Sequence, residues 1–214
     1  MSWCVLAATA SNSFNIISLA HRNCPLTTII FFFRRRYEKG HWDAVIIKYK
    51  ETELLDEASM ISIESRALFD RVRHQLKERH LSSKIEQGVP IQWLPCHAID
   101  LHKEGELKAH VDSVRFSGDI VSGLSLVSPS IMRLIPDDGT CESDQDKTNE
   151  TSGGWVDLYL PPRSLYVLSG PGRYLYSHQL LPTGAVFKES DDSDKNAITI
   201  HRDHRLSVIF RDTK

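Results

Sequence analysis

Residues 205–211 read Arg-Leu-Ser-Val-Ile-Phe-Arg, a run in which positions 206, 208 and 210 are all apolar. Successive side chains of a β-strand point to opposite faces of the sheet. One face of this run would therefore carry three apolar side chains, namely Leu206, Val208 and Phe210. The other face would carry both arginines, Arg205 and Arg211. The pattern predicts a late strand that buries one face and presents two guanidinium groups on the other.

The same β-type pattern extends back to residue 91. Short runs suited to strands are separated in many places by Gly or Pro, which is typical of strands joined by turns. Many short strands without βαβ alternation favour a sandwich or barrel over a parallel α/β sheet. The other predicted strands are Ile91–Leu101, Lys108–Ser113, Ile120–Ser128, Ile131–Ile135, Trp155–Leu160, Ser164–Ser169, Tyr174–Leu181 and Ala197–His201.

Residues 51–80 have the spacing of an amphipathic helix. Apolar side chains recur there at steps of three and four between charged residues. They are Leu54, Leu55, Ala58, Ile61, Ala67, Leu68, Val72 and Leu76. Two acidic stretches poor in apolar residues, 136–154 and 188–196, predict solvated loops. The predicted fold is mainly β, with an N-terminal helix packed on a jelly roll.

The size and composition predict a single globular domain. Of the 214 residues, 41% are apolar and 25% are charged, which is ordinary for a globular protein of one domain. We expect a monomeric domain over residues 34–214. Residues 1–33 contain no acidic residue and would be a targeting or disordered segment. Their run Leu26–Phe33 is far shorter than the roughly 20 apolar residues of a membrane span.

Charge and cysteine content argue against several classes of protein. Residues 1–36 carry four arginines and no acidic residue, which leaves 22 basic against 28 acidic residues in the remainder. An acidic body does not favour non-specific phosphate binding, although it leaves room for a local basic groove. The four cysteines (Cys4, Cys24, Cys96 and Cys141) form no Cys-x-x-Cys pair. We therefore expect neither a zinc ribbon nor a disulfide framework, and a reducing compartment.

The pattern that indicates chemistry is His-x-Asp, which occurs three times in a chain with ten histidines. Because residues i and i+2 of a strand share a face, this tripeptide can present an imidazole and a carboxylate to one metal ion. A second histidine from another strand would complete a two-histidine, one-carboxylate triad, which leaves open positions on iron(II). The three occurrences begin at His41, His110 and His201.

Position in the chain favours the second occurrence. Only 13 residues follow His201, which leaves little room for a strand that carries the third ligand. His41 precedes the predicted sheet, so we expect it to have a structural role. His110 and Asp112 lie in a strand-like run, and His178 follows on a later predicted strand. These three residues are the candidate metal ligands.

Arg205 and Arg211 call for an explanation of their own. Burial of a guanidinium without an anionic partner costs on the order of several kcal/mol. A dicarboxylate such as 2-oxoglutarate would supply that partner through bidentate pairing. The alternative is an edge strand with solvated arginines, since arginine is mostly exposed in proteins. The His-x-Asp and histidine upstream favour the first interpretation.

Together these residues resemble a known family, the AlkB-type iron(II)- and 2-oxoglutarate-dependent dioxygenases, and in particular its mitochondrial members. The resemblance runs from about Arg34 to Arg211 and rests on several separate stretches of sequence. These are Arg34–Glu38, His41–Asp43, Tyr49 with Glu51–Glu53, His110–Ser113, Gly123–Leu126, Ser128–Ser130, Met132–Leu134, Ser164–Leu168, Arg173–Tyr174, Ser177–His178 and Arg205–Arg211.

The resemblance implies a double-stranded β-helix fold, the jelly roll of this family, and a reaction that consumes O2 and 2-oxoglutarate and hydroxylates a C–H bond. It implies that iron(II) is bound by His110, Asp112 and His178. It also implies that the co-substrate 2-oxoglutarate is held by Tyr166, Arg205 and Arg211. For Tyr166, a structural place in the core is the alternative.

The resemblance also bears on the substrate. Demethylases of this family grip a flipped base with a lid of aromatic and basic residues, and before His110 this chain offers only Trp93 and His97. The mitochondrial members of the family lack this lid, and resemblance to them implies a protein or peptide substrate. They further imply a location in the mitochondrial matrix, a role in fatty-acid metabolism and a role in programmed necrosis after alkylation damage.

Two other hypotheses remain open. A mitochondrial RNA demethylase would need a basic groove near the iron, for which the sequence offers Lys103, Lys108, Arg115 and Arg173. A non-catalytic interaction module could keep the fold without the reaction. The intact set of candidate metal ligands counts against the hypothesis of a non-catalytic module.

Overall fold

A computed structural model describes residues 4–6, 14–18, 38–40, 44–54, 62–137, 154–189 and 197–214. The strands are β1 Cys4–Leu6, β2 Phe14–Ser18, β3 Glu38–Gly40, β4 Ile46–Leu54, β5 Cys96–His110, β6 Ile120–Val127, β7 Ser130–Pro136, β8 Val156–Leu160, β9 Ser164–Ser169, β10 Tyr176–Leu180, β11 Ala185–Phe187, β12 Ile198–Ile200 and β13 Arg205–Arg211. The helices are α1 Ile63–His80, α2 Ser82–Glu86 and α3 Pro171–Tyr174.

The long strand β5 joins two parts of one antiparallel sheet, whose order is β1-β2-β9-β6-β13-β5-β10-β7-β8. The first part of β5 pairs with β13, with Arg205 opposite Leu101. Its last residue, His110, pairs with His178 on β10. Strand β4 also pairs with β5, β3 pairs with β4, and β11 and β12 form a separate pair.

One apolar core lies between the two parts of this sheet. Its buried residues come from β4, β5 and β9 in one part and from β7, β8 and β10 in the other: Tyr49, Leu101, Met132, Leu134, Leu158, Leu160, Tyr166, Leu168 and Leu180. Packing of one part of the sheet against the other around a common core is the jelly-roll arrangement. The predicted fold class is confirmed.

A second core lies on the opposite face of β13 and its neighbours, where α1 packs. The helix begins after Ser62, whose hydroxyl oxygen accepts a hydrogen bond from the Ser65 backbone N–H at 3.2 Å. Such a cap stabilises a helix by about 1 kcal/mol. Phe69 of α1 meets Phe210 of β13 edge to face, with ring centroids 5.5 Å apart. The helix therefore covers the sheet from outside and leaves its inner face for the site.

The predicted alternation along β13 is confirmed. The three apolar side chains of the predicted apolar face all belong to the core beneath α1: Leu206, Val208 and Phe210. The intervening residues therefore face the inside of the roll. Arg205 is 3% exposed and lies there close to Tyr166. The alternative of an edge strand with solvated arginines is wrong, because β13 is paired on both sides, with β5 and β6.

Several element boundaries differ from the prediction. Residues 51–54 belong to β4 rather than to the predicted helix, because they pair with Cys96–Ile99 of β5. This contact along the sheet overrides a helix-like charge pattern. The predicted strands Ile91–Leu101 and Lys108–Ser113 overlap a single strand, β5, which begins only at Cys96 and ends at His110. Residues 171–174 form α3, so β10 starts two residues later than predicted.

Part of the sequence prediction lies outside the described residues. The loops expected at 136–154 and 188–196 fall mostly outside them, and residues 1–33 are described only at β1 and β2, where β2 pairs with β9. The domain boundary at residue 34 stays a prediction. Among the described residues, no helix is long and apolar enough to cross a membrane.

Candidate metal and co-substrate site

The three predicted metal ligands come together where β5 and β10 meet. His110 ends β5 and His178 lies directly opposite it on β10, with the two imidazole centroids 4.3 Å apart. Asp112 follows two residues after β5, and its Oδ2 lies 3.7 Å from His178 Nε2. One ligand atom from each residue lies within 4.8 Å of the other two. Two imidazoles and one carboxylate around a common point form a donor set suited to iron(II).

The backbone fixes the tautomer of His110. Its Nδ1 lies 2.8 Å from the carbonyl oxygen of Lys108. A carbonyl oxygen can only accept, so Nδ1 must carry the proton and donate. The lone pair is thereby placed on Nε2. A ligating histidine usually has its other ring nitrogen held in this way, which fixes the ring orientation and raises the basicity of the ligand.

Burial keeps His178 neutral. Loss of solvation lowers the pKa of His178 to about 4, although the carboxylate of Asp112 acts in the opposite direction. Near neutral pH the imidazole is therefore unprotonated and has a lone pair available for a metal ion. Arg173 and Arg205 also lower this pKa, which places both guanidinium groups within electrostatic reach of the triad.

The inner face of β13 provides a site for a carboxylate. Arg205 Nε donates to the hydroxyl of Ser125 at 3.1 Å, and its guanidinium also hydrogen-bonds Tyr166. Its Nη2 is buried and has no hydrogen-bond partner among the described residues. A buried guanidinium donor without a partner is costly, and the distal carboxylate of 2-oxoglutarate would satisfy it. The residues present therefore fit the co-substrate.

Tyr166 lies within electrostatic reach of Asp112 and of both arginines of β13. Burial raises the pKa of its hydroxyl, while Arg205 lowers it and Asp112 raises it. The phenol therefore stays protonated at neutral pH. Because the oxygen of Tyr166 accepts from a guanidinium, its O–H remains able to donate to a further acceptor such as a carboxylate. Its membership of the inner core does not exclude that role.

Arg211 and a third arginine complete the basic character of this face. Arg211 has a buried Nε without a hydrogen-bond partner among the described residues. Arg202, which the sequence did not single out, is 4% exposed and donates from Nη2 to the Gly105 carbonyl at 2.6 Å. Burial and the nearby charge of Arg205 lower the pKa of Arg202 to about 10.

The other two His-x-Asp tripeptides differ in their surroundings. His201 and Asp203 are exposed, and neither belongs to a metal-binding group of side chains. In the described part of the chain the triad is the only such group found. His41 and Asp43 lie outside the described residues.

Sequence reasoning missed two residues that shape the site. Gly123 on β6 is directly opposite Tyr166 on β9, and a Cβ at Gly123 would collide with the phenol ring and its oxygen. Arg173 was considered for a nucleic-acid groove and as part of the family resemblance, but it is 2% exposed and donates to the backbone carbonyl of Asp112 at 2.7 Å. The resemblance at Arg173–Tyr174 and the position of Arg173 five residues before His178 were the available signals for its role.

No family profile matches the chain. It is, however, 37% identical over 178 residues to the bovine alpha-ketoglutarate-dependent dioxygenase alkB homolog 7, mitochondrial, which covers 83% of this chain and 66% of that protein. The mouse protein of the same name is 37% identical over 180 residues, with the same coverage. The chain thus spans just under two thirds of the length of these relatives.

A solved structure, that of OsALKBH1, matches the fold with a TM-score of 0.56 at 14% identity, over 97% of this chain and 99% of that one. At this identity the likeness concerns the fold alone, and it agrees with the jelly roll described above. The sequence similarity to the bovine and mouse proteins extends over 83% of this chain. This chain therefore belongs to the AlkB-type family of iron(II)- and 2-oxoglutarate-dependent dioxygenases.

Proposed function

We propose that this chain is an iron(II)- and 2-oxoglutarate-dependent oxygenase that hydroxylates a protein or peptide. The observation that carries the proposal is a single juxtaposition inside the roll. The candidate ligands His110, Asp112 and His178 adjoin a tyrosine–arginine pair that retains an unpartnered buried donor. A purely structural core would avoid a buried donor that is left without a partner, as Arg205 Nη2 is among the described residues.

Each side chain has a distinct role in this proposal. When bound, iron(II) with 2-oxoglutarate supplies O2-dependent hydroxylation coupled to formation of succinate and CO2. His110 offers Nε2 because Lys108 holds its Nδ1 proton. Arg205 and Tyr166 would bind the distal carboxylate of the co-substrate, and Arg211 would bind nearer the metal-chelating end. Burial of the site excludes water and strengthens these charged contacts.

A protein substrate is favoured by the surroundings of the triad. Phosphate binding needs several accessible Lys or Arg side chains. Of the four basic residues considered for such a groove, Arg115 is exposed but Arg173 is buried. Lys103 and Lys108 are exposed and flank the acidic Glu104 and Glu106. The segments next to Asp112 and His178 instead expose large apolar side chains: Val114, Phe116, Tyr174 and Leu175. An apolar rim suits a peptide better than a phosphate backbone.

The mitochondrial location comes from the names of the relatives, and the biological role is what the family resemblance implies. Both mammalian proteins carry the word mitochondrial in their names. We extend that location, with the implied roles in fatty-acid metabolism and in programmed necrosis after alkylation damage, to this chain. Fractionation of cells that express the full-length protein tests the location. Survival of knockout cells after an alkylating agent tests the role in necrosis.

The substrate class is tested by supplying candidate substrates to the purified protein with iron(II), 2-oxoglutarate and O2. Peptides from mitochondrial protein should increase succinate formation, and mass spectrometry should find one added oxygen atom in a peptide. Methylated RNA oligonucleotides should have no effect. Formaldehyde release from the RNA, without peptide oxidation, would instead identify a demethylase. An Arg205→Ala variant serves as the inactive control.

A further inference from the structure

Arg173 is one of the large side chains buried inside the described part of the protein, and it is 2% exposed. It lies in α3, immediately ahead of the strand that carries His178. Its guanidinium carbon lies 5.2 Å from the centre of the Tyr174 ring. Burying a cation at such a position is costly unless its donors find acceptors. Where those donors point therefore indicates what the residue does.

The guanidinium binds the turn that follows β5. Nη1 donates to the carbonyl oxygen of Asp112 at 2.7 Å. Nη2 donates to the Ser117 hydroxyl at 2.7 Å and to the carbonyl oxygen of Ser113 at 3.3 Å. The Ser117 hydroxyl in turn donates to the same Ser113 carbonyl at 3.1 Å. One rigid planar group thus holds two successive carbonyls of the segment that presents the candidate carboxylate ligand.

This contact matters because Asp112 lies beyond the end of its strand. His110 is held by sheet pairing with β10, whereas residues 111–119 belong to no helix or strand. The direction of the Asp112 side chain depends on the backbone dihedral angles of this turn. A carbonyl held by a charged donor is fixed more firmly than one held by water, since charge-assisted hydrogen bonds are about twice as strong as neutral ones.

We propose that Arg173 is a positioning residue for the metal site, which holds the backbone of Asp112 so that its carboxylate faces His110 and His178. The proposal rests on the proposed function, because it requires Asp112 to be a metal ligand. Lysine cannot replace Arg173 fully, since one ammonium group cannot reach all three oxygen atoms in the geometry of the planar fork. Methionine removes every donor while keeping much of the apolar volume.

Metal affinity of the purified full-length protein tests this role. Calorimetric titration with manganese(II), a probe that avoids oxidation of the metal, would compare wild type with Arg173→Lys, Arg173→Met and Ser117→Ala. Loss of contacts that orient a ligand weakens metal binding by roughly 10–100-fold. We expect the loss of manganese(II) affinity in Arg173→Met to lie at the upper end of that range. The loss in Arg173→Lys should be smaller than in Arg173→Met, and the loss in Ser117→Ala should be only a few-fold.

Arg133→Lys is the matched control. Arg133 lies on β7 and makes two hydrogen bonds of 2.8 Å to Asp157, so its replacement also costs stability. It touches no part of the turn after β5 in the contacts described. The control should therefore unfold at a lower denaturant concentration while keeping the wild-type affinity for manganese(II).

The outcomes separate the two levels of the proposal. Wild-type affinity in folded Arg173→Lys and Ser117→Ala would overturn the positioning role even if Arg173→Met fails to fold, and would leave the proposed function intact. Failure of the wild type itself to bind the metal would overturn both. Weaker binding in both Arg173→Lys and Ser117→Ala, with unchanged binding in Arg133→Lys, would support both.

Discussion

Gly123 lies directly opposite Tyr166 on neighbouring strands, and the phenol ring occupies the space that a Cβ at Gly123 would need. The ring can lie across β6 only because that position has no side chain. In this arrangement Tyr166 reaches Arg205, to which it is hydrogen-bonded. A glycine inside a buried strand thus marks a close approach that serves the site.

Gly123→Ala should weaken binding of 2-oxoglutarate because the added methyl group displaces Tyr166. A lost hydrogen bond to a charged group costs about 1.5–3 kcal/mol, so we expect KM for 2-oxoglutarate to rise by roughly tenfold or more. Steady-state succinate formation measures this. Gly154→Ala is the control, since a Cβ there has no neighbour within 4 Å. Equal KM values for the two variants would contradict the arrangement.

Arg205→Lys should fail as a conservative change. The guanidinium contacts Ser125 and Tyr166 and retains one further donor. A lysine side chain has a single ammonium nitrogen and lacks the planar fork that makes these contacts together. We expect KM for 2-oxoglutarate to rise by about 10–100-fold, as for loss of a charged hydrogen bond. The same substitution at Arg71, which is exposed on α1, should leave KM unchanged. A lysine that supports normal KM would exclude bidentate pairing at this position.

Ser125→Ala should affect both stability and co-substrate binding. The hydroxyl accepts from Arg205 Nε inside the roll, and its loss leaves a buried donor unsatisfied at a cost of about 1–3 kcal/mol. Urea unfolding and KM for 2-oxoglutarate measure the two effects. Ser130 is also buried but its hydroxyl has no partner among the described residues, so Ser130→Ala should be nearly neutral. Similar losses in both variants would indicate a general packing effect.

Phe69→Ala tests the packing of α1 on the outer face of the sheet. Phe69 is 1% exposed and meets Phe210 at 5.5 Å. Truncation of a buried phenylalanine typically costs about 3–5 kcal/mol in the free energy of unfolding. Ile63, at the start of the same helix, is 81% exposed, and Ile63→Ala should change stability by less than about 0.5 kcal/mol. Chemical denaturation of both variants measures the free energy of unfolding. A small loss of this free energy in Phe69→Ala would show that packing of α1 contributes little to stability.

The sequence predicts most of this architecture because strand alternation is a local property. The run at 205–211 shows its two faces directly, and its bounds match β13. The order His-x-Asp, histidine and arginine strand also selects the three side chains that the structure brings together. The mistaken helix at residues 51–54 has a non-local cause, since only the partner strand β5 explains why those residues are extended.

Gly123 and Arg173 could not be predicted for a related reason. A glycine in a strand gives no sign of which aromatic ring will cover it, because that ring comes from a strand about 40 residues further along the chain. An arginine in a turn is usually exposed. Arg173 instead binds the backbone that follows β5. Its partners there, Asp112 and Ser113, precede it in the sequence by 61 and 60 positions.

Succinate formation from 2-oxoglutarate with iron(II) and O2 tests the central claim most directly. We predict turnover in the wild type, none in His110→Ala, and little in Arg205→Ala at co-substrate concentrations that saturate the wild type. His201→Ala changes the same residue in an exposed His-x-Asp tripeptide and should retain wild-type turnover. Absence of turnover and of bound iron in the wild type, or unchanged turnover in His110→Ala, would contradict the assignment.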